Sequence, residues 1–154
     1  MQLNDILVQG AVRVLPKVSS KKRLFCDLAD VARDAYGLNQ PDALAALQER
    51  ESLGPTGVGG GVALPHARLG GLDRVHGVFI RLEMPIDFDA ADRKPVDLLF
   101  ALFAPEGAGV AHLKALALVS RTLRDAGLCA KLRANDDPGL LYTMLSESRR
   151  SEAA

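Results

Sequence analysis

The residues best suited to chemistry in this chain lie around His66. It follows a short apolar run, Val62-Ala63-Leu64, and a proline, Pro65, and Arg68 stands two residues beyond it. Proline fixes φ, so the backbone just before the imidazole is stiff. Imidazole is largely unprotonated near neutral pH and is then a nucleophile. Attack on phosphorus needs a ring nitrogen free of its proton and in line with the leaving group. The transferred phosphoryl spreads negative charge over its oxygens, so donors and cations nearby lower the barrier. A glycine-rich stretch, Gly54-Pro55-Thr56-Gly57-Val58-Gly59-Gly60-Gly61, lies immediately upstream. Free backbone N–H groups in such a stretch can hold an anion. Glycine loop, His66 and Arg68 are thus the parts of a phosphoryl-transfer site with His66 as nucleophile. A surface turn followed by a structural histidine is the other reading, and residue types alone leave both open.

Two nucleotide readings fail. A phosphate-binding GxxxxGK[ST] loop needs a lysine where Gly60 stands, six residues after Gly54. A dinucleotide GxGxxG loop matches at Gly57 and Gly59 but has Val62 at the third glycine, and it must follow a strand and open a helix. Here a helix precedes the loop and a strand-like run follows it. The other histidines, His76 and His112, are separated from His66 and from each other by 10 and 36 residues, which matches no helical or hairpin ligand pair. No metal and no cofactor are expected, and His76, inside a strand-like run, reads as structural.

The elements that must position these residues are legible in outline. The chain has 154 residues, 48% of them hydrophobic and 25% charged, enough for one domain with its own core. Aromatics make up only 5%, so the core must be mostly Leu, Val and Ala. Nineteen basic residues balance nineteen acidic ones, which gives no electrostatic case for nucleic acid or an anionic membrane. No run approaches eighteen apolar residues, and the first ten residues do not read as a signal peptide. Cys26 and Cys129 have no CxxC partner and read as two buried thiols in a reducing, cytoplasmic setting.

Residues 12–15 read as a short strand ended by Pro16. Ser19 or Ser20 caps a helix carrying Leu24, Leu28, Val31 and Ala35, and Gly37 stands at its end. Pro41 fits the first turn of a second helix with Leu44, Leu47 and Leu53. Residues 75–84 and 96–104 read as strands, the second nearly continuous in apolar residues as a strand covered on both faces should be. Residues 110–125 form the clearest late helix, with Leu113, Leu116, Val119 and Leu123 on its apolar face and Gly127 beyond it. Residues 127–133 and 138–146 read as shorter helices, and 147–154 as a polar tail after a single domain of residues 1–146. Few strand pairs enclose a helix, so the fold expected is α/β: a three-layer α/β/α sandwich with a mixed central β-sheet.

The stretch Glu51-Ser52-Leu53-Gly54-Pro55-Thr56-Gly57-Val58-Gly59-Gly60-Gly61-Val62-Ala63-Leu64-Pro65-His66-Ala67 resembles the signature of fructose/mannitol-type enzyme IIA domains of the bacterial phosphotransferase system. An acidic or amide residue, a glycine-containing stretch and an Ala-aliphatic-Pro-His core follow one another in that family. Leu82-Glu83-Met84-Pro85-Ile86-Asp87-Phe88-Asp89-Ala90 and Lys94-Pro95-Val96-Asp97-Leu98-Leu99-Phe100-Ala101-Leu102 resemble its nitrogen-regulatory branch, enzyme IIA-Ntr, and the likeness runs from about Leu3 to Leu145. The resemblance implies that His66 is phosphorylated, at Nε2, by a small histidine phosphocarrier protein charged by an enzyme I using phosphoenolpyruvate. It implies that His112 is the second active-site histidine, bonding His66 or its phosphoryl group and fixing the tautomer. It places Arg50 near the site, with Thr56 and the amides of Gly57 and Gly59 lining it. Pro55, Gly60 and Ala67-Arg68 depart from the branch's usual Ser, Asn and Gly-Lys, although Arg68 keeps the charge. The implied outlet is regulation of targets, such as potassium transport or sensor-kinase systems, by phosphorylation state. A sugar-specific IIA passing phosphate to a IIB domain, or a binding module that keeps the fold without the chemistry, are the alternatives.

Overall fold

The computed structural model describes residues 1–153, with side chains described through residue 147. Five helices and six strands form a three-layer α/β/α sandwich around one mixed sheet. The strands are β1 (Val12–Leu15), β2 (Gly57–Gly59), β3 (Val62–Ala63), β4 (His66–Leu69), β5 (His76–Ile86) and β6 (Val96–Pro105), in the order β1-β5-β6-β3-β2 with β4 also on β6. β1 runs parallel to β5, β5 antiparallel to β6, and both β3 and β4 parallel to β6.

The long helices begin and end where local chemistry dictates. In α1 (Lys21–Tyr36), the Ser20 hydroxyl accepts from the Arg23 amide and Gly37 closes the helix. In α2 (Gln40–Ser52), the Asn39 side chain accepts from the Asp42 amide, with Pro41 in the first turn. These two helices pack together, while α3 (Gly109–Leu123), α4 (Ala126–Arg133) and α5 (Pro138–Ala153) form a second packed group. The core is mostly Leu, Val and Ala, but all five phenylalanines are buried in it. The tail expected at 147–154 lies largely outside the residues whose side chains are described.

Three expectations about the helices and cysteines need correction. Helix α3 ends at Leu123, and Asp125 accepts from the amides of Gly127 and Leu128 to start α4, so Gly127 opens the next helix instead of closing the last. Its buried side is His112, Ala115, Leu118, Val119, Thr122 and Leu123, whereas Leu113 is 67% exposed. Apolar residues cover a wide arc of α3, and the sheet takes a stripe rotated from the one read off Leu113 and Leu116. Cys26 is only partly buried, unlike Cys129, whose thiol donates to the Leu123 carbonyl.

The glycine-rich stretch is a β-hairpin at the sheet edge, not a loop. β2 and β3 pair antiparallel across Gly60 and Gly61, which have φ of 66° and 79°. Arg133 holds the turn: its guanidinium bonds both Asp97 oxygens and donates to the Gly60 carbonyl. A different glycine limits the sheet centre. A Cβ on Gly77 would lie 2.6 Å from the Phe100 ring and 3.1 Å from the Ile6 carbonyl oxygen. Gly77→Ala is therefore expected to cost about 1–3 kcal/mol through overpacking, read as a lower urea midpoint at unchanged slope.

Candidate active site

His66 is positioned by an interruption in a strand. β3 and β4 run along the same partner in the same register, Val62 opposite Leu98 and His66 opposite Leu102. Leu64 and Pro65 separate them. The Pro65 carbonyl still accepts from Leu102, and the Leu64 amide turns to the Thr56 carbonyl. The Leu64 carbonyl faces the His66 ring, 2.9 Å from Nδ1. A carbonyl only accepts, so Nδ1 carries the proton and Nε2 carries the lone pair.

Arg50, in the last turn of α2, meets that lone pair. Its Nε lies 3.3 Å from His66 Nε2, and its Nη1 donates to the Gly54 carbonyl at 2.9 Å. The neighbouring Glu51 carboxylate, 7% exposed, fixes this end of the helix. It accepts from the Thr56 amide at 2.9 Å and hydroxyl at 2.7 Å, and pairs with Lys21 at 3.0 Å.

His112 sits edge-on to His66 with ring centroids 5.5 Å apart. It is 6% exposed, and its Nε2 makes no hydrogen bond with any described residue. Burial pushes its pKa down, and the nearby His66 and Arg68 charges push the same way. The resemblance implied that His112 fixes the tautomer. The Leu64 carbonyl does so instead, because the broken strand leaves that group free to turn to the ring.

These side chains face an open cleft of about 520 Å³ lined by Arg50, Leu53, His66, Arg68, His112 and Leu113. Leu53 and Leu113 are 81% and 67% exposed, so the cleft presents apolar side chains beside two arginines, two imidazoles and the Glu49 carboxylate. A nucleophilic nitrogen, an arginine and an unpaired buried imidazole in one open cleft suit transfer of an anionic group between large partners.

The chain matches the family model described as phosphoenolpyruvate-dependent sugar phosphotransferase system, EIIA 2, over residues 5–148. It belongs to this family. The chain is 45% identical to a nitrogen regulatory protein of Bradyrhizobium diazoefficiens over 146 residues, covering 95% of each. It is 39% identical to the nitrogen regulatory protein of Klebsiella oxytoca, covering all of this chain and 96% of that one. The crystal structure of nitrogen regulatory protein IIA-Ntr from Neisseria meningitidis superposes with a TM-score of 0.84 at 36% identity, covering 93% and 98% of the two chains. These likenesses place the EIIA chain in the nitrogen-regulatory branch.

The structure gathers part of the expected site. In this EIIA chain, Arg50, His66, Arg68 and His112 meet at the cleft. Thr56, Gly57 and Gly59 are not among its lining residues. Thr56 is buried, with its amide and hydroxyl both engaged by Glu51. Gly57 packs against Ala90, and Gly59 lies beside Asp92. The glycines serve the hairpin, so their amides make no cradle at His66. The Leu64 carbonyl, the Glu51 brace and the exposed leucines were missed; a backbone carbonyl leaves no trace in residue types, whereas a carboxylate at the end of a helix before Thr56 could have been read as a brace. His76 lies away from the cleft, buried beside Tyr36 at 4.5 Å between ring centroids. Among the described residues, no helix is long and apolar enough to cross a membrane.

Burial lowers the pKa of His76 as well, followed by the charge of Arg74. The unfolded chain takes protons on both histidines near their ordinary pKa of 6.5, which the folded chain resists. Stability from this source is complete above that pH and is lost as pH falls below it, until the folded values are passed. Melting temperature is expected to drop between about pH 7.5 and pH 5.5, and less steeply in His112→Gln.

Proposed function

We propose that this protein is a cytoplasmic phosphocarrier and regulator that accepts a phosphoryl group on Nε2 of His66 from a histidine phosphocarrier protein. The observation that carries the proposal is the 2.9 Å contact from His66 Nδ1 to the Leu64 carbonyl, which leaves Nε2 as the lone-pair nitrogen beside the open cleft.

The unprotonated Nε2 attacks the donor's phosphohistidine in line. The P–N bond to the donor breaks as the P–N bond to His66 forms, and the donor imidazole keeps the leaving electron pair. Bond made and bond broken are of one kind, so transfer runs in both directions. Arg50 shifts from the lone pair to the phosphoryl oxygens, and the unpaired imidazole of His112 offers a further donor once it is oriented toward them. The exposed Leu53 and Leu113 suit a protein donor. A phosphoryl group adds about −1.5 to −2 charges to a cleft with exposed apolar side chains, which is a physical basis for phosphorylation-dependent binding of targets such as potassium transport or sensor-kinase systems.

The test is incubation of the purified chain with enzyme I, the phosphocarrier and phosphoenolpyruvate, followed by intact mass. A gain of one acid-labile phosphate is expected. No gain, with the donor shown to be charged, overturns the proposal.

A further inference from the structure

Two hydrogen-bond chains that end on His66 begin at one side chain outside the cleft. The first passes through the loop between α2 and β2. Arg50 Nε meets His66 Nε2 while its Nη1 donates to the Gly54 carbonyl in that loop. Ser52, Leu53 and Pro55 are exposed and Gly54 has no side chain, so the loop buries almost nothing of its own. Such a segment is held in place by polar contacts or not at all. The Glu51 carboxylate closes it, accepting from the Thr56 amide on Oε1 and from the Thr56 hydroxyl on Oε2.

The second chain crosses the hairpin. The Thr56 carbonyl accepts from the Leu64 amide at 3.0 Å, and the Leu64 carbonyl in turn lies 2.9 Å from His66 Nδ1. The carbonyl that aims the arginine and the peptide that selects the tautomer are thus both tied to the clasp between Glu51 and Thr56.

Glu51 is itself firmly seated. Lys21 Nζ lies 3.0 Å from its Oε1, donates to the Phe88 carbonyl at 3.3 Å and sits 4.3 Å from the centroid of the Phe88 ring. Phe88 is fully buried, edge-on to Phe25 of α1. A carboxylate only 7% exposed is costly unless its oxygens are bonded and its charge is matched, and here both conditions hold. None of its bonds goes to a residue lining the cleft.

We propose that Glu51 is a positioning residue for phosphoryl uptake: by clasping Thr56 it holds the Gly54 carbonyl that aims Arg50 and the Leu64 peptide that leaves Nε2 of His66 free. The effect on rate rests on the phosphocarrier reading, whereas the effect on the tautomer does not.

Glu51→Ala, Glu51→Asp and Glu51→Gln separate reach from charge. Glutamine keeps the length, and its amide can accept from the Thr56 N–H while donating to the Thr56 hydroxyl. Aspartate keeps the charge but is one methylene short. Nitrogen-15 NMR of the full, unphosphorylated chain, at a pH where imidazole is neutral, shows which ring nitrogen of His66 carries the proton. The expected result is Nδ1–H alone in the parent and in Glu51→Gln, and a mixture of tautomers in Glu51→Ala and Glu51→Asp. At saturating charged donor, Glu51→Ala should take up phosphate about 10–10²-fold more slowly, with the half-saturating donor concentration unchanged, because misalignment acts on the transfer step. Glu51→Gln should recover most of that rate. The proposal is overturned if a folded Glu51→Ala keeps the single tautomer or the parent's rate, or if Glu51→Asp recovers both and Glu51→Gln neither. Should Glu51→Ala fail to fold, the contrast between Glu51→Asp and Glu51→Gln decides in its place. Absence of uptake in the parent would sink the phosphocarrier reading and leave the tautomers to decide this one.

Discussion

His66→Ala is expected to take up no phosphate and to keep its fold. The substitution removes the imidazole whose tautomer the Leu64 carbonyl fixes, with Nε2 as the lone-pair nitrogen beside the cleft. His66 is only half-buried at the start of β4, and its neighbours Pro65 and Ala67 keep their places in the sheet. The structural loss is the bond with the Leu64 carbonyl and the one from Arg50 Nε, each worth about 1 kcal/mol. Intact mass after incubation with the charged donor should stay at the unmodified value, while the circular dichroism spectrum matches the parent. His112→Ala provides the contrast, since it should slow uptake and leave some labelling. Complete loss in a folded His112 variant equal to that in His66→Ala would mean that the division of roles between the two histidines is wrong.

Arg50→Ala is expected to lower the rate of uptake by about 10²–10³-fold, the usual effect of deleting one preorganised donor to a developing anion. Two contacts fix the guanidinium, one to the Gly54 carbonyl and one to His66 Nε2, so it is in place before the phosphoryl group arrives. Arg50→Lys should recover little, because a single ammonium on a flexible stem cannot span both contacts as a planar fork does. Time courses of mass gain at limiting donor measure this. Faster uptake in Arg50→Ala would show instead that the arginine is a brake on the lone pair.

Much of this was legible in the sequence, and the failures share a cause. Ser20, Gly37 and Pro41 act on the nearest turns of backbone, so α1 and α2 could be read locally. β6 was legible because a strand covered on both faces is apolar throughout. The buried side of α3 was misread because apolar residues surround much of that helix and only the sheet decides which are covered. The glycine stretch was misread for the same reason: its hairpin is held by Arg133 and Asp97, which are distant in sequence. His66 could be singled out from its neighbours, the family resemblance supplied Arg50 and His112, and all three line one cleft. The carbonyl that selects the tautomer could not be found that way, since every residue has one.

That last point bears on how the site tolerates genetic change. The group that determines which nitrogen of His66 is free belongs to the main chain at position 64, and every amino acid supplies the same oxygen there. Point mutations at Leu64 can therefore disturb packing but cannot delete the acceptor. Losing the choice of nitrogen would take an insertion or deletion between residues 62 and 66, which would displace the carbonyl from the ring.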